Sequence, residues 1–185
     1  MSERFRLLAY YLRGAAGLSA SQFLKRHNHP VLLWSQSLDW TEKINFQFET
    51  AIIEPGNEQS FGLPAQTESQ IAETLVIEIR KQVSTTPAHM ICVGRAPNND
   101  IVLLDHTISK FHAYFTKAEA EDSLAIADAD STNGTKLNEQ LLIAHQKKSL
   151  TNRDLIHLGP SIQMMYLTAR GFYDFLRQLH RSGIS

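Results

Sequence analysis

The sequence contains four neighbouring stretches in which short apolar runs and turn-forming residues follow one another: GRAPNNDIVLL at 94–104, SKFHA at 109–113, DSTNGTKLN at 130–138 and DLIHLG at 154–159. Branched and aliphatic residues in runs of this length are typical of β-strands, and the glycine, asparagine and serine between them favour tight turns. Residues 94–159 therefore predict several short strands joined by close turns.

The same pattern continues on both sides of these stretches. Leu75, Ile77 and Ile79 alternate with other residues, as in a strand with one buried face. Further short apolar runs lie at 90–93, 101–104, 113–116, 124–127, 141–143, 155–158 and 162–167. Many short strands at close spacing favour a β-sandwich. We therefore predict a mainly β chain with an antiparallel sandwich over residues 73–168.

The two ends of the chain have helical signals. Residues 3–13 carry apolar side chains at helical spacing, and Ser19 with Gln22 forms a capping-box pattern that begins a second helix. Residues 31–34 and 44–48 indicate one or two strands, and residues 54–73 have the composition of a linker or an ordered long loop. Apolar residues at helical spacing over 170–180 predict a closing helix. We thus divide the chain into an N-terminal α/β extension (1–72), a sandwich (73–168) and a C-terminal helix and tail (169–185).

The overall charge excludes some classes of partner. The chain has eighteen Lys and Arg and nineteen Asp and Glu residues, so its formal net charge is −1. There is no overall positive electrostatic field to attract nucleic acid or an acidic membrane. The single cysteine, Cys92, excludes an internal disulfide framework and suits a reducing compartment. No apolar run is long enough to span a bilayer. We expect a cytoplasmic protein with no membrane insertion and no nucleic-acid partner.

Three polar side chains in two predicted loops suit a tetrahedral anion. Arg95 follows a glycine at a strand end, and Ser109 and Lys110 lie in a second loop. A guanidinium binds two oxygens at once, lysine adds a point charge, and a serine hydroxyl donates one short hydrogen bond. If the loops converge, these residues would suit a phosphate. The alternative is that Arg95 and Lys110 are ordinary solvated charges.

Taken in order, these motifs resemble the forkhead-associated (FHA) domain, a phosphothreonine-reading β-sandwich, over residues 74–168. The resemblance implies that Arg95 and Ser109 bind the phosphate, with Lys110 contributing charge. It implies that Thr132 and Asn133 hold the peptide backbone beside the phosphothreonine. It also implies support of the site from behind by four further residues, which are Gly94, His112, Gly134 and Asn138.

The chain departs from the family pattern at three points outside the expected pocket. Glu139 and Arg153 stand where many relatives have glycine, and both substitutions make a turn with positive φ more costly. A methionine pair, Met164-Met165, occupies the last predicted strand. These departures bear on loop geometry and peptide preference.

Several other functions compete with that of a binding module. Asp128 opens an Asp-x-Asp-x-Thr motif after an apolar strand, which is similar to haloacid-dehalogenase-like phosphatases, where such an aspartate attacks phosphorus. A calcium loop beginning at the same residue lacks glycine at its sixth position, where Asn133 stands. Ser109 with His112 could suggest a nucleophile and its base, but no orienting acid accompanies them. A phosphate-independent scaffold acting through the N-terminal region is the remaining alternative.

The preferred hypothesis is a non-enzymatic module that binds phosphothreonine peptides or proteins in Ser/Thr kinase signalling. Its partner would be a kinase or a kinase substrate, because another protein must write the mark. We expect no catalytic residues, no metal site and no cofactor.

Overall fold

The computed structural model describes residues 5–35, 73–82, 86–118 and 123–183. Within these ranges the helices are α1 Leu8–Ala15, α2 Ala20–Leu24 and α3 Ala169–Arg181. The strands are β1 Phe5–Leu7, β2 Val31–Trp34, β3 Leu75–Glu78, β4 Ile91–Gly94, β5 Ile101–Val102, β6 Ala113–Lys117, β7 Leu124–Asp128, β8 Thr135–Leu137, β9 Gln140–Leu141, β10 Lys148–Ser149, β11 Leu155–Leu158 and β12 Ile162–Leu167. The predicted mainly β fold with a closing helix is confirmed.

The described strands form two sheets that pack face to face. One sheet has seven strands in the order β1-β3-β2-β12-β11-β8-β9, and the other has five in the order β10-β7-β6-β4-β5. The described pairs are antiparallel except for β4 with β5, which is parallel, so the second sheet is mixed. Alternation places Ile156 and Leu158 inward while His157 points outward, as the period of a strand requires. The buried layer between the sheets includes Leu32, Ile77, Phe115, Ile126 and Tyr166.

The three described helices cover the outer face of the seven-stranded sheet and create a second core. Phe23 and Phe172 pack there edge to face, with ring centroids 6.0 Å apart. Strand side chains of the same core include Leu33, Val76 and Met165. Met164 therefore packs in the core between the two sheets and Met165 packs in the core beneath the helices, because consecutive strand residues point to opposite faces.

Strand β2 is an interior strand of the sheet although it lies far from its partners in sequence. It pairs with β3 on one side, where Leu33 faces Val76, and with β12 on the other, where Leu33 faces Met165. In the order of the described strands, β2 therefore lies between β3 and β12. The predicted division at residues 72/73 stays a prediction, since strand pairing alone does not define an independently folding unit.

The N-terminal elements differ from the sequence expectation in one respect. Residues 5–7 form strand β1 rather than the first turn of a helix, because pairing with β3 and partial burial of Phe5 outweigh the local helical pattern. The capping box of α2 is confirmed: Gln22 N–H donates to Ser19 Oγ, and Ser19 N–H donates to Gln22 Oε1. The strand predicted at 44–48 lies outside the described residues, as does the linker predicted at 54–73 apart from its last residue.

We expect Leu33→Ala to destabilise the chain strongly, because this side chain is fully buried between β2 and the helical layer. The free energy of unfolding, measured by urea denaturation, should fall by about 2 to 5 kcal/mol. Leu104→Ala is the matched control, since Leu104 is 89% exposed and its loss should change stability by less than about 0.5 kcal/mol. Equal effects of the two variants would mean that β2 is not an integral strand.

Candidate functional site

Three loops meet at one end of the five-stranded sheet because of strand direction. Val93, the residue before the last one of β4, lies opposite Ala113 at the start of β6, and Ala113 lies opposite Asp128 at the end of β7. The loops β4–β5, β5–β6 and β7–β8, which span residues 95–100, 103–112 and 129–134, therefore leave the sheet side by side. They carry the predicted binding residues together with His112 and Gly134, and Gly94 is the last residue of β4, directly before the first of these loops.

The imidazole of His112 joins two of these loops from inside the protein. Its Nδ1 accepts a hydrogen bond from Ser109 N–H at 3.1 Å, and its Nε2 lies 3.2 Å from the carbonyl oxygen of Gly134. One ring nitrogen must accept and the other must donate, so the geometry fits the neutral ring with hydrogen on Nε2. Burial lowers the pKa of His112, although the Gly134 carbonyl and the nearby Asp128 carboxylate oppose that shift.

Ser109 connects the β5–β6 loop with the β7–β8 loop. Its Oγ accepts from Thr132 N–H at 3.0 Å and lies 3.3 Å from the Thr132 hydroxyl. Arg95 is tied to the same loop, since its backbone N–H donates to the Ser109 carbonyl and its Nε donates to the Ile108 carbonyl at 3.2 Å. The structure thus places Arg95, Ser109 and Thr132 together at one rim.

Gly94 fits where the β4 strand passes the β5–β6 loop at close range. A Cβ at this position would stand 2.4 Å from the Lys110 carbonyl oxygen, which is closer than two such atoms can approach. The same carbonyl accepts from Asn99 Nδ2 at 2.7 Å and from Ala96 N–H at 3.1 Å. The backbone of Lys110 is therefore fixed, while its side chain is exposed.

Asn133 is exposed and uses only half of its amide within the site. Its Nδ2 donates to the Thr107 carbonyl at 2.8 Å, which links the β7–β8 loop to the β5–β6 loop a second time. Thr107 is in turn held by Asp105, whose Oδ1 accepts from the Thr107 N–H and hydroxyl. Those two bonds lower the pKa of the Asp105 carboxyl.

Asp128 organises the β7–β8 loop from below. Its carboxylate accepts from Ser131 N–H at 2.9 Å, from the Ser131 hydroxyl at 2.7 Å and from the Thr135 hydroxyl at 2.6 Å. Burial raises the pKa of Asp128, but these hydrogen bonds outweigh it and hold the pKa below its ordinary value. Both oxygens are occupied and the residue is 4% exposed, which speaks against the nucleophile of a phosphatase. Among the described residues, no three His, Cys, Asp or Glu side chains converge as a metal site would require.

Asn138 lies at the far end of β8 and is not brought to the three loops. Its Nδ2 donates to Asp154 Oδ1 and its Oδ1 accepts from Leu155 N–H, so it fixes the β8–β9 turn against β11. Asn138 and Glu139 have φ of 48° and 66°, and Arg153 has φ of 77°. The two departures from glycine therefore do occupy the left-handed region. Arg153 also donates to Gln178 Oε1 on α3 at 3.1 Å, a contact that glycine could not make.

Sequence reasoning missed the supporting roles of Asn99, Thr107 and Asp128. Each acts through hydrogen bonds to loop backbone or hydroxyl groups, which leave little mark in a sequence. For Asp128 a signal existed, because serine three residues later and threonine seven residues later can both donate to one carboxylate.

No helix within the described ranges is long and apolar enough to cross a membrane.

Comparison with known proteins shows that the part of the chain that carries these loops is similar to one protein family. Residues 91–159 match the model of the FHA domain. Solved structures similar to the chain include the MEK1 FHA domain in complex with a HOP1 phosphothreonine peptide, at 28% identity over 50% of this chain and 87% of that one, with a TM-score of 0.40. A second is the FHA domain of the Chlamydia trachomatis CT664 protein, at 29% identity over 42% and 75% of the two chains, with a TM-score of 0.37.

A third is the FHA domain of an Arabidopsis thaliana protein, at 28% identity over 51% of this chain and 73% of that one, with a TM-score of 0.41. A search of curated proteins finds no match.

We expect His112→Ala to lower the free energy of unfolding at pH 7 by about 2 to 4 kcal/mol, measured by urea denaturation. The change leaves the Ser109 N–H without its acceptor and opens a cavity at a fully buried position. His106→Ala is the matched control, because His106 is a histidine of the same loop with a 95% exposed side chain, and its loss should cost less than about 0.5 kcal/mol.

The same residue also predicts a pH dependence. Because the pKa of His112 is lowered by folding, the unfolded chain binds this proton more readily than the folded one, and acidification from about pH 7 to pH 5 should reduce stability. The lowered pKa of His27 acts in the same direction. The loss between these pH values should therefore be smaller in His112→Ala than in the wild type, and equal losses would refute the buried neutral imidazole.

Proposed function

We propose that the protein binds phosphothreonine peptides or proteins through the β4–β5, β5–β6 and β7–β8 loops, which lie within residues 91–159, the part of the chain that matches the FHA domain model. FHA domains are phosphothreonine-peptide binding modules rather than enzymes. The observation that carries the proposal is the joining of Arg95, Ser109 and Thr132 at one rim by hydrogen bonds between their loops.

Arg95, Ser109 and Lys110 form the phosphate half of the proposed site. Only Nε of the Arg95 guanidinium has a hydrogen-bond partner among the described residues, so the two terminal nitrogens can each donate to a phosphate oxygen. The Ser109 hydroxyl can turn its hydrogen from Thr132 to the phosphate while its oxygen still accepts from Thr132 N–H. Lys110 adds charge from an exposed position, which suits the dianion that phosphothreonine forms above about pH 6.

Thr132 and Asn133 form the half of the site that holds the peptide backbone. Asn133 is fixed through Nδ2 on the Thr107 carbonyl, and its Oδ1 remains to accept an N–H from an extended peptide. Thr132 presents a hydroxyl beside Ser109 at the same rim. Because its Nδ2 is fixed and its Oδ1 is available, the Asn133 amide can bind one backbone N–H of the peptide without contacting a peptide side chain.

Gly94, His112, Gly134 and Asn138 support the site without touching the ligand. Gly94 permits the close approach of β4 to the Lys110 carbonyl, and His112 fixes the distance between Ser109 and Gly134. Gly134 has φ of 75°, which lets the chain turn from Asn133 into β8. Asn138 acts at one remove, by holding the end of β8 to β11.

The biological setting follows from the chemistry of the mark. A phosphothreonine is formed by a Ser/Thr kinase, so we propose that the partner is such a kinase or one of its substrates. We also propose that the protein acts in cytoplasmic signal transduction. The site needs neither metal nor cofactor to bind a phosphate, and the net charge of −1 favours neither nucleic acid nor an acidic membrane as a partner.

We expect Arg95→Ala to remove most of the affinity for phosphothreonine peptides while leaving the fold intact. Selection from an array of phosphothreonine peptides, followed by calorimetric titration of the best one, should give a loss of about 2 to 5 kcal/mol in binding free energy, because a charge-assisted pair is broken. The urea midpoint should fall only slightly, since Arg95 is exposed and its side chain makes one hydrogen bond within the described residues, from Nε to the Ile108 carbonyl.

Arg26→Ala supplies the control, because Arg26 is also exposed but lies after α2 in the helical layer, and its loss should leave affinity unchanged. Full binding by a folded Arg95→Ala variant would overturn the phosphate assignment. Equal binding of the unphosphorylated peptide by the wild type would instead favour a phosphate-independent scaffold.

A further inference from the structure

A second concave surface lies on the lateral side of the sandwich, away from the phosphate half of the site. It is a cleft of about 350 Å³ whose lining includes Leu137, Leu141, Leu142, Ile143 and Lys148. We call it the lateral cleft. Its volume lies within the range of protein sites that hold a ligand or a peptide side chain.

The lateral cleft lies where both sheets end. β9 is the last strand of the seven-stranded sheet and β10 is the last strand of the five-stranded sheet, and the chain crosses from one to the other through residues 142–147. Among the described strands, β9 pairs only with β8 and β10 pairs only with β7. Edge strands offer backbone groups to an added strand, so an extended peptide is the shape that fits here.

The cleft exposes two large aliphatic side chains that the fold does not bury. Leu141 is 67% exposed and Ile143 is 69% exposed, although they stand only two residues apart. Leu137 beside them is nearly buried and provides an apolar floor. Natural edge strands usually avoid such side chains, because exposed apolar edges associate with other chains. An occupant with apolar side chains would cover them.

The charge of this segment decides which occupant fits. Residues 140–153 contain no Asp or Glu but include Lys147, Lys148 and Arg153. The preceding residue is Glu139, whose carboxylate lies 3.8 Å from Lys136 Nζ. Lys147 and Lys148 are exposed, and Asp154 at the floor is committed to Asn138 and Thr151. A second copy of this chain would bring lysine against lysine, whereas an acidic segment would meet opposite charge.

Three residues that are next in sequence to lining residues of the cleft are also held in costly backbone conformations. Glu139, His145 and Arg153 have φ of 66°, 63° and 77°, a region that side-chain-bearing residues avoid. Such positions persist where the surrounding structure fixes them, and they concentrate at binding sites. The turn and the loop that border the cleft are therefore defined in shape before any partner arrives.

We propose that the lateral cleft binds an extended peptide segment in which apolar residues alternate with acidic ones, independently of phosphothreonine. The apolar side chains contact Leu137, Leu141 and Ile143, the acidic ones face Lys148 in the lining and the adjacent exposed Lys147, and the peptide backbone lies along β9 or β10. A Cβ placed on Gly134 would lie 2.8 Å from Leu141 Cδ1, so the cleft begins next to the β7–β8 loop. One partner could therefore occupy both sites, although neither requires the other.

The test titrates the full, nitrogen-15-labelled chain with an unphosphorylated peptide of about eight alternating leucines and glutamates, the length of an ordinary strand. Saturable shifts of backbone amides at 137–151 are expected. The double variant Leu141→Ser/Ile143→Ser should weaken binding at least about tenfold, because two buried aliphatic contacts are lost. Leu7→Ser is the control, since Leu7 is 50% exposed at the opposite edge of the same sheet, and it should leave affinity unchanged.

Two further comparisons distinguish an acidic peptide in the lateral cleft from generic apolar association and from binding at the phosphate site. A peptide with lysine in place of glutamate should bind at least about fivefold more weakly, and Lys147→Glu/Lys148→Glu should reverse that preference. Arg95→Ala should leave binding of the leucine–glutamate peptide unchanged, which keeps this result independent of the phosphate site. The inference is overturned by absence of saturable shifts, by unchanged affinity of the Leu141→Ser/Ile143→Ser variant, or by a dimer in sedimentation that the same variant dissociates.

Discussion

The proposed binding rim depends on one buried side chain, the imidazole of His112. Its Nδ1 accepts a hydrogen bond from Ser109 N–H, and its Nε2 lies within hydrogen-bond distance of the Gly134 carbonyl. The β5–β6 and β7–β8 loops are therefore held at a fixed separation. Burial lowers the pKa of His112 and favours the neutral ring that can do both. Since Ser109 then contacts Thr132 and fixes the backbone of Arg95, the positions of these residues follow from this pair of hydrogen bonds.

A second set of contacts makes the rim rigid without filling it. Asn99 holds the Lys110 carbonyl, Asn133 holds the Thr107 carbonyl, and Asp128 holds the β7–β8 loop from within. All three use polar side chains to form hydrogen bonds with loop backbone groups that have no partner in a neighbouring strand. The Arg95 and Lys110 side chains remain at the exposed surface. A preformed rim loses less conformational entropy on binding than loops that must first be ordered.

Local sequence patterns predicted much of this arrangement. The sandwich strands and the α2 capping box were readable, because periodicity and cap chemistry act over a few residues. The interior position of β2 could not be predicted from the sequence, since pairing between residues 31–34 and 162–167 leaves no periodic signal. Strand β1 replaced a predicted helical turn because pairing with β3 prevailed over local spacing. The lateral cleft could not be read either, since it arises where the edges of two sheets meet.

The measurement that tests the account most directly compares one peptide in two forms, with threonine and with phosphothreonine, by amide NMR on the full chain. If the rim held by His112 reads phosphate, only the phosphorylated form should shift the amides of Ser109, Lys110, Thr132 and Asn133, and those of the helical layer should stay unchanged. Identical shifts with both forms, or shifts with the phosphorylated form that map away from the three loops, would contradict it.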